Sequence, residues 1–157
     1  MSWIDDNLKR LEIVLPTAPR PVAVYVPYVE VGGLVYISGQ LPSRDGKVIY
    51  VGSVPEVQDV QCARDAARLA TLNALAILRD AVQGDWERII RIVRLGVFVQ
   101  SNPGFEQQPQ IANGASDLLV AVFGDIGRHA RAAVGAAALP LNATVEVELI
   151  AHIRPGP

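Results

Sequence analysis

The sequence predicts one α+β domain, a mixed β-sheet with two main helices packed on one face, and three observations carry that prediction. A stripe of mostly small apolar residues recurs at helical spacing from Ala63 to Ala81, and a second stripe follows from Ile111 to Val122. The segment "ATVEVELIAHI", Ala143 to Ile153, alternates apolar and polar residues instead, the period of two expected of a strand with one buried side. Helical stretches interspersed among extended ones suit a sheet covered by helices on one face. A chain of 157 residues is of single-domain size and can bury roughly two-thirds of the surface its unfolded form exposes.

Each element follows in order. Ser2 is placed to cap a short opening helix, with Asp5 three residues on and Ile4, Leu8 and Leu11 on one side. Pro16, Pro19 and Pro21 end helical character. "VAVYVPYVEVGGLVYISGQLP" then reads as two extended segments. Pro27 marks the first as an edge or bulged strand, and Gly32-Gly33 suits a hairpin turn. Arg44, Asp45 and Gly46 mark another turn.

Ser53 and Glu56 have capping-box spacing and predict the start of the first long helix. Its stripe is Ala63, Ala67, Ala70, Ala74, Ile77 and Ala81, and Gly84 is a natural stop. Ile89 to Val99 reads as a long strand despite Arg91 and Arg94, and "SNPGFEQQP" as a loop. A second helix is expected over Pro109–Phe123, ended by Gly124, followed by strands near Arg131–Ala137 and Ala143–Ile153.

In the last strand Val145, Val147, Leu149, Ala151 and Ile153 share one side; Thr144, Glu146, Glu148, Ile150 and His152 share the other. If the first set meets the helices, the second faces solvent or another copy of the chain. Packing of copies around that open face would cover it; an exposed polar face is the plainer reading.

Composition excludes several classes. Fourteen basic residues against sixteen acidic give a formal charge of −2 without a dense basic run, so a nucleic-acid partner is not expected, although a small basic pocket is compatible. Cys62 is the only cysteine, which rules out an intramolecular disulfide and a Cys-rich metal motif and suggests a buried, inert thiol. His129 and His152 form no helical HExxH pattern, and neither a metal nor another cofactor is expected. "MSWIDDNLKR" has acids where a secretory signal needs basic residues, and the apolar run Ala132–Leu141 is broken by Gly135 and Pro140. A cytoplasmic chain with no membrane partner is the resulting expectation, with Pro155, Gly156 and Pro157 frayed.

"GGLVYISGQLP" and "HARAAVGAAALPLNATVEVELIAHI" resemble, at the right separation, two signature blocks of the RidA family, also called the YjgF family. The resemblance covers nearly the whole chain, residues 1–157. It implies a chorismate-mutase-like, RidA-type fold and a homotrimer with ligand clefts between subunits, the free sheet face turned toward the trimer centre. It also implies cofactor-independent hydrolysis of reactive 2-imino or enamine acids, such as 2-iminobutanoate and 2-iminopropanoate, to 2-keto acids and ammonia. Other branches of the family lack the deaminase residues, which leaves a noncatalytic small-carboxylate-binding or regulatory trimer as the alternative. The family also carries an endoribonuclease label.

Position by position, the family's carboxylate-binding arginine falls on Arg131 and its water-positioning glutamate on Glu146. The site tyrosine, serine and asparagine fall on Tyr25, Ser38 and Asn113. The chain departs from the central branch at Gly33, at "AVYVP" around Tyr25, at Ala133 in place of a cysteine and at Gly135 in place of an acid, the pattern of a side branch.

The chemistry of these residue types fits those roles. A guanidinium offers parallel donors to a carboxylate, so Arg131 can orient an acid-bearing ligand, although a structural ion pair would explain it as well. A carboxylate in a partly desolvated strand can orient water and titrate in a useful range, whereas alternation alone also explains Glu146 and Glu148 as solvated residues. Tyr25 can donate a phenolic hydrogen bond or fill a sheet edge. Ser38, Gly39 and Gln40 permit close backbone approach at a strand end, or form a simple bulge. Asn113 can add a polar group from its helix or serve in capping.

Overall fold

The computed structural model describes residues 2–21 and 23–156. Val22, expected in the first extended segment, and Pro157, expected to fray, lie outside the described residues. The chain opens with α1 (Trp3–Arg10), followed by β1 (Tyr28–Val31), β2 (Leu34–Gln40) and a small hairpin of β3 (Ser43–Arg44) and β4 (Lys47–Val48). Then come α2 (Val60–Ala81), β5 (Ile89–Gln100), α3 (Gln108–Phe123), β6 (Ala130–Ala136) and β7 (Val145–Ile153). Five strands form one mixed sheet in the order β1-β2-β7-β5-β6, in which β5 and β6 are parallel and the other pairs antiparallel.

Local chemistry accounts for the element ends. Ser2 and Asp5 make the expected reciprocal capping box at α1. Gly32 and Gly33 both have positive φ in the β1–β2 hairpin, as do Asp45 and Gly46 between β3 and β4, the geometry of turns that match the twist of their strands. Gly124, at φ 57°, closes α3.

Two expectations need correction. Helix α2 starts after Asp59, not after Ser53: the Asp59 carboxylate accepts from the Cys62 N–H at 2.7 Å. The Ser53 carbonyl instead closes a turn by accepting from Val57 and Gln58, while Asn102 bonds both the backbone and the carboxylate of Glu56. Nor is Cys62 buried. It lies half-exposed beside Asp59, whose hydrogen bond is the main cause pushing its thiol above the ordinary value, so the expected lack of reactivity has a different origin.

The alanine stripe of α2, the apolar face of α3 and the alternating Val145, Val147, Leu149, Ala151 and Ile153 belong to one hydrophobic core. Gly114 lies where the helices cross, because a Cβ there would run into the Arg64 carbonyl of α2. On the other side of β7, Glu146, Glu148, Ile150 and His152 are half-buried. The sheet thus has a core-facing side and an open side, and the candidate residues divide between them. Among the described residues, no helix is long and apolar enough to cross a membrane.

Candidate functional site

Register places Arg131 on the core-facing side. Arg131 pairs with Leu95, which pairs with Leu149, and both leucines are buried in the core. Because β6 is an edge strand, the half-buried arginine lies where the sheet ends and α3 begins. Its NH1 donates to Asn113 Oδ1 at 2.8 Å and to Ser116 Oγ at 3.1 Å, two acceptors one helical turn apart on α3. Two predicted site residues, Arg131 and Asn113, therefore meet directly.

The sequence does not single out Ser116, and it marks His129 only as lacking a helical HExxH pattern. The structure joins them to the same cluster. His129 Nδ1 lies 2.6 Å from the Gly127 carbonyl, and its Nε2 lies 2.9 Å from Ser116 Oγ. Burial, helped by the positive charge of Arg131, pushes the His129 pKa below the ordinary value despite the opposing Gly127 bond. The available signal was spacing: Asn113 and Ser116 are three apart on a helix, and His129 and Arg131 are two apart in extended chain.

Glu146 belongs to the other side. It pairs with Phe98, and its position alternates with the core residues Val145 and Val147. Its carboxylate occupies the space where a side chain at position 39 would begin: a Cβ on Gly39 would collide with Glu146 Oε1. The β2–β7 register shifts between Ile37 and Gln40, so the Ser38-Gly39-Gln40 bulge and the glutamate come together. Glu148 lies in the same way across Gly96 of β5. Burial raises the Glu146 pKa above the ordinary carboxylate value, and the charge of Glu148 raises it further.

Around this acid, the other candidates play distinct parts. Ser38 donates from Oγ to the Val26 carbonyl at 2.6 Å and from its backbone to the Pro27 carbonyl, tying the segment that carries Tyr25 to β2. That segment is irregular up to Pro27, so the first strand starts at Tyr28, later than the sequence suggests. Gln40 turns its amide back onto the carbonyls of Ser38 and Gly39 and thereby holds the bulge. Tyr25, Gly39 and Gln40 line a cleft of about 660 Å³ together with the Pro16–Pro21 segment.

The candidates therefore form two clusters: Arg131 with Asn113, Ser116 and His129 at the β6–α3 edge, and Glu146 with the Ser38-Gly39-Gln40 bulge on the open side, while the cleft lined by Tyr25, Gly39 and Gln40 also has Leu69, Leu72 and Asn73 of α2 in its wall. A single chain does not bring Arg131 and Glu146 together. Arg128, three residues before Arg131, is exposed and pairs with Asp125 at 3.5 Å. Among the described residues no group of three or more His, Cys, Asp or Glu side chains is arranged to hold a metal ion.

A chorismate-mutase-like mixed sheet with these two blocks in place defines a family. The family model described as "YjgF/chorismate mutase-like, putative endoribonuclease" matches residues 7–153. The chain belongs to this RidA/YjgF family. It is 30% identical to the 2-iminobutanoate/2-iminopropanoate deaminase of Dermatophagoides farinae, covering 90% of this chain and 95% of that one. The crystal structure of the protein Atu1372 from Agrobacterium tumefaciens superposes with a TM-score of 0.89 at 46% identity, covering 96% of this chain and 92% of the other. Escherichia coli TdcF, solved with bound serine, superposes with a TM-score of 0.64 at 26% identity, covering 88% and 94%.

Proposed function

We propose that the protein hydrolyses small 2-imino or enamine acids to 2-keto acids and ammonia without a cofactor, at sites assembled between copies of the chain in a homotrimer. One observation carries this reading: a guanidinium with free donors and a partly desolvated carboxylate occupy separate sides of one sheet, each incomplete alone. A closed ring of copies, in which one subunit's β6–α3 edge meets its neighbour's open sheet face, would unite them and cover that face. The similarity to an iminobutanoate/iminopropanoate deaminase and to a serine-binding homologue supports a ligand that carries a carboxylate.

In this site Arg131 binds the substrate carboxylate and fixes the imine carbon relative to Glu146. Glu146, in its ionised form, orients water and accepts a proton as the water adds to that carbon. The protonated Glu146 returns that proton to the nitrogen of the carbinolamine, and the C–N bond breaks to release ammonia as the hydroxyl gives its proton back to the carboxylate, leaving the keto group. Ser38 and Tyr25 frame the ligand beside the acid. Because imines are already electrophilic, positioning and electrostatics suffice for a useful acceleration.

The test is direct. Freshly generated 2-iminopropanoate or 2-iminobutanoate should disappear faster with the protein than in buffer, ammonia rising in step, and R131A and E146Q should lose the acceleration with the oligomer intact. No acceleration by the wild-type protein contradicts the reading. Retained binding of keto acids would then favour the noncatalytic carboxylate-binding trimer. Cleavage of defined RNA that survives repurification and disappears in R131A would favour the nuclease.

A further inference from the structure

Arg131 uses one end of its guanidinium, not both. NH1 carries two hydrogens, and Asn113 Oδ1 and Ser116 Oγ take one each. Nε and NH2 have no partner among the described residues, so the edge open to a ligand is the side-on Nε–NH2 pair. That pair still matches the two oxygens of one carboxylate.

The direction of each hydrogen bond in this corner is fixed by chemistry. The Gly127 carbonyl only accepts, so the close Nδ1 of His129 carries the proton. With the ring neutral, Nε2 is an acceptor, and the Ser116 hydroxyl must donate to it. The serine hydrogen is then turned away from the arginine, and an oxygen lone pair is left for NH1. A chain of four groups results: Arg131 donates to Ser116, Ser116 to His129, and His129 to the Gly127 carbonyl. Each link removes a rotational choice from the one before it, and hydrogen bonds in such a chain polarise one another.

We infer that Ser116 and His129 are positioning residues for Arg131, a serine–histidine relay that locks the guanidinium so that only its Nε–NH2 edge meets the carboxylate of a planar 2-oxo or 2-imino acid. Only the ligand in this inference rests on the function proposed above; the relay itself belongs to the free protein. Neutral histidine is essential to it. A protonated ring would donate from Nε2, force the Ser116 hydrogen to turn, and place a second positive charge beside Arg131. Burial and the nearby charge of Arg131, which lower the His129 pKa, disfavour that state.

The experiment compares affinities for 2-oxobutanoate and for its uncharged amide, 2-oxobutanamide, by calorimetry on the intact oligomer. S116A and H129A should each weaken 2-oxobutanoate binding about tenfold, the loss expected when one hydrogen bond that orients a charged group disappears. Neither should change the amide. The double variant should be no weaker than either single one, because both break the same chain. S116T and H129Q, which keep a hydroxyl and an acceptor, should bind within about threefold of wild type. Single variants that bind 2-oxobutanoate within about twofold of wild type, or losses that multiply in the double variant, overturn the relay. In the ligand-free protein, nitrogen NMR should find the His129 proton on Nδ1 and slow rotation of the Arg131 guanidinium that becomes fast in S116A. A freely rotating wild-type guanidinium overturns the inference whatever binds. If the affinity pattern holds while wild-type protein hydrolyses no imine, the relay stands and the proposed reaction falls.

Discussion

The two clusters differ in how their charges are satisfied. At the β6–α3 edge the side chains hold one another by directed hydrogen bonds, leaving one edge of the guanidinium free: Arg131 rests on Asn113 and Ser116, Ser116 on His129, and His129 on Gly127. At the open side of β7 the Glu146 carboxylate lies over the bare backbone of Gly39 beside another acid, Glu148, and burial and like charge both raise its pKa. The first arrangement fixes a donor edge in place. The second leaves a carboxylate poorly stabilised in its charged form, the condition under which it binds water or a proton strongly. In the proposed reaction a rigid clamp and an uneasy acid are different parts of one site, which contact between copies of the chain would complete.

The sharpest break of this contrast removes either charge. E146Q should lower imine hydrolysis by about a hundredfold or more, read as kcat from ammonia release, because the group that handles the proton is gone. R131A should cost a similar factor in kcat/KM, and R131K should recover little of it, since an ammonium cannot present a paired edge.

Two glycines separate fold from function. G114A places a methyl group against the Arg64 carbonyl where α2 and α3 cross. Overpacking there costs about 1–3 kcal/mol or more, and alanine's better helix propensity returns only about 1 kcal/mol. The melting temperature should fall by several degrees while any surviving activity per folded molecule is kept. G39A meets only the flexible end of Glu146. It should displace the carboxylate and lower kcat about tenfold with little change in melting temperature.

Smaller effects come from the Glu146–Glu148 pair. If the ionised Glu146 is the active form, activity should rise with pH through a midpoint above the ordinary carboxylate range, and E148Q should move that midpoint down by removing a like charge. Stability runs the other way. A carboxyl whose folded pKa is raised binds its proton more tightly when folded, so its contribution is fully present below the unfolded pKa and is lost as pH rises through the folded value. E146Q should therefore leave the protein slightly more heat-stable than wild type at neutral pH, although nearly inactive. Equal melting temperatures at pH 7 would argue against an uncomfortable acid at this position.

Much of the fold was legible because its signals are local. The period-two pattern of Val145 to Ile153, the helical stripes and the stop at Gly124 each lie within a few residues of what they determine. The α2 start was misplaced because Ser53 and Glu56 have capping-box spacing, yet their partners lie elsewhere in the fold. Tyr25 looked like part of a strand, but regular pairing begins only at Tyr28, after Pro27.

The site was legible only residue by residue. Arg131 and Asn113 are 18 positions apart, and their contact depends on the parallel β5–β6 pairing that returns the chain beside α3. Ser116 and His129 gave no separate signal, since each is ordinary until the crossover is built. The meeting of Glu146 and Gly39 depends on a register shift that no local pattern announces. That Arg131 and Glu146 face opposite ways follows from strand register across β6, β5 and β7, and so required the assembled sheet.

Mixing two dead proteins tests the central claim most directly. R131A and E146Q should each be inactive, but subunits exchanged between them should regain imine hydrolysis, because a clamp from the E146Q chain can face an acid from the R131A chain. Random exchange within a ring should restore roughly a quarter of the wild-type sites. A mixture that demonstrably exchanges subunits and still fails to release ammonia faster than either parent would contradict a site shared between copies.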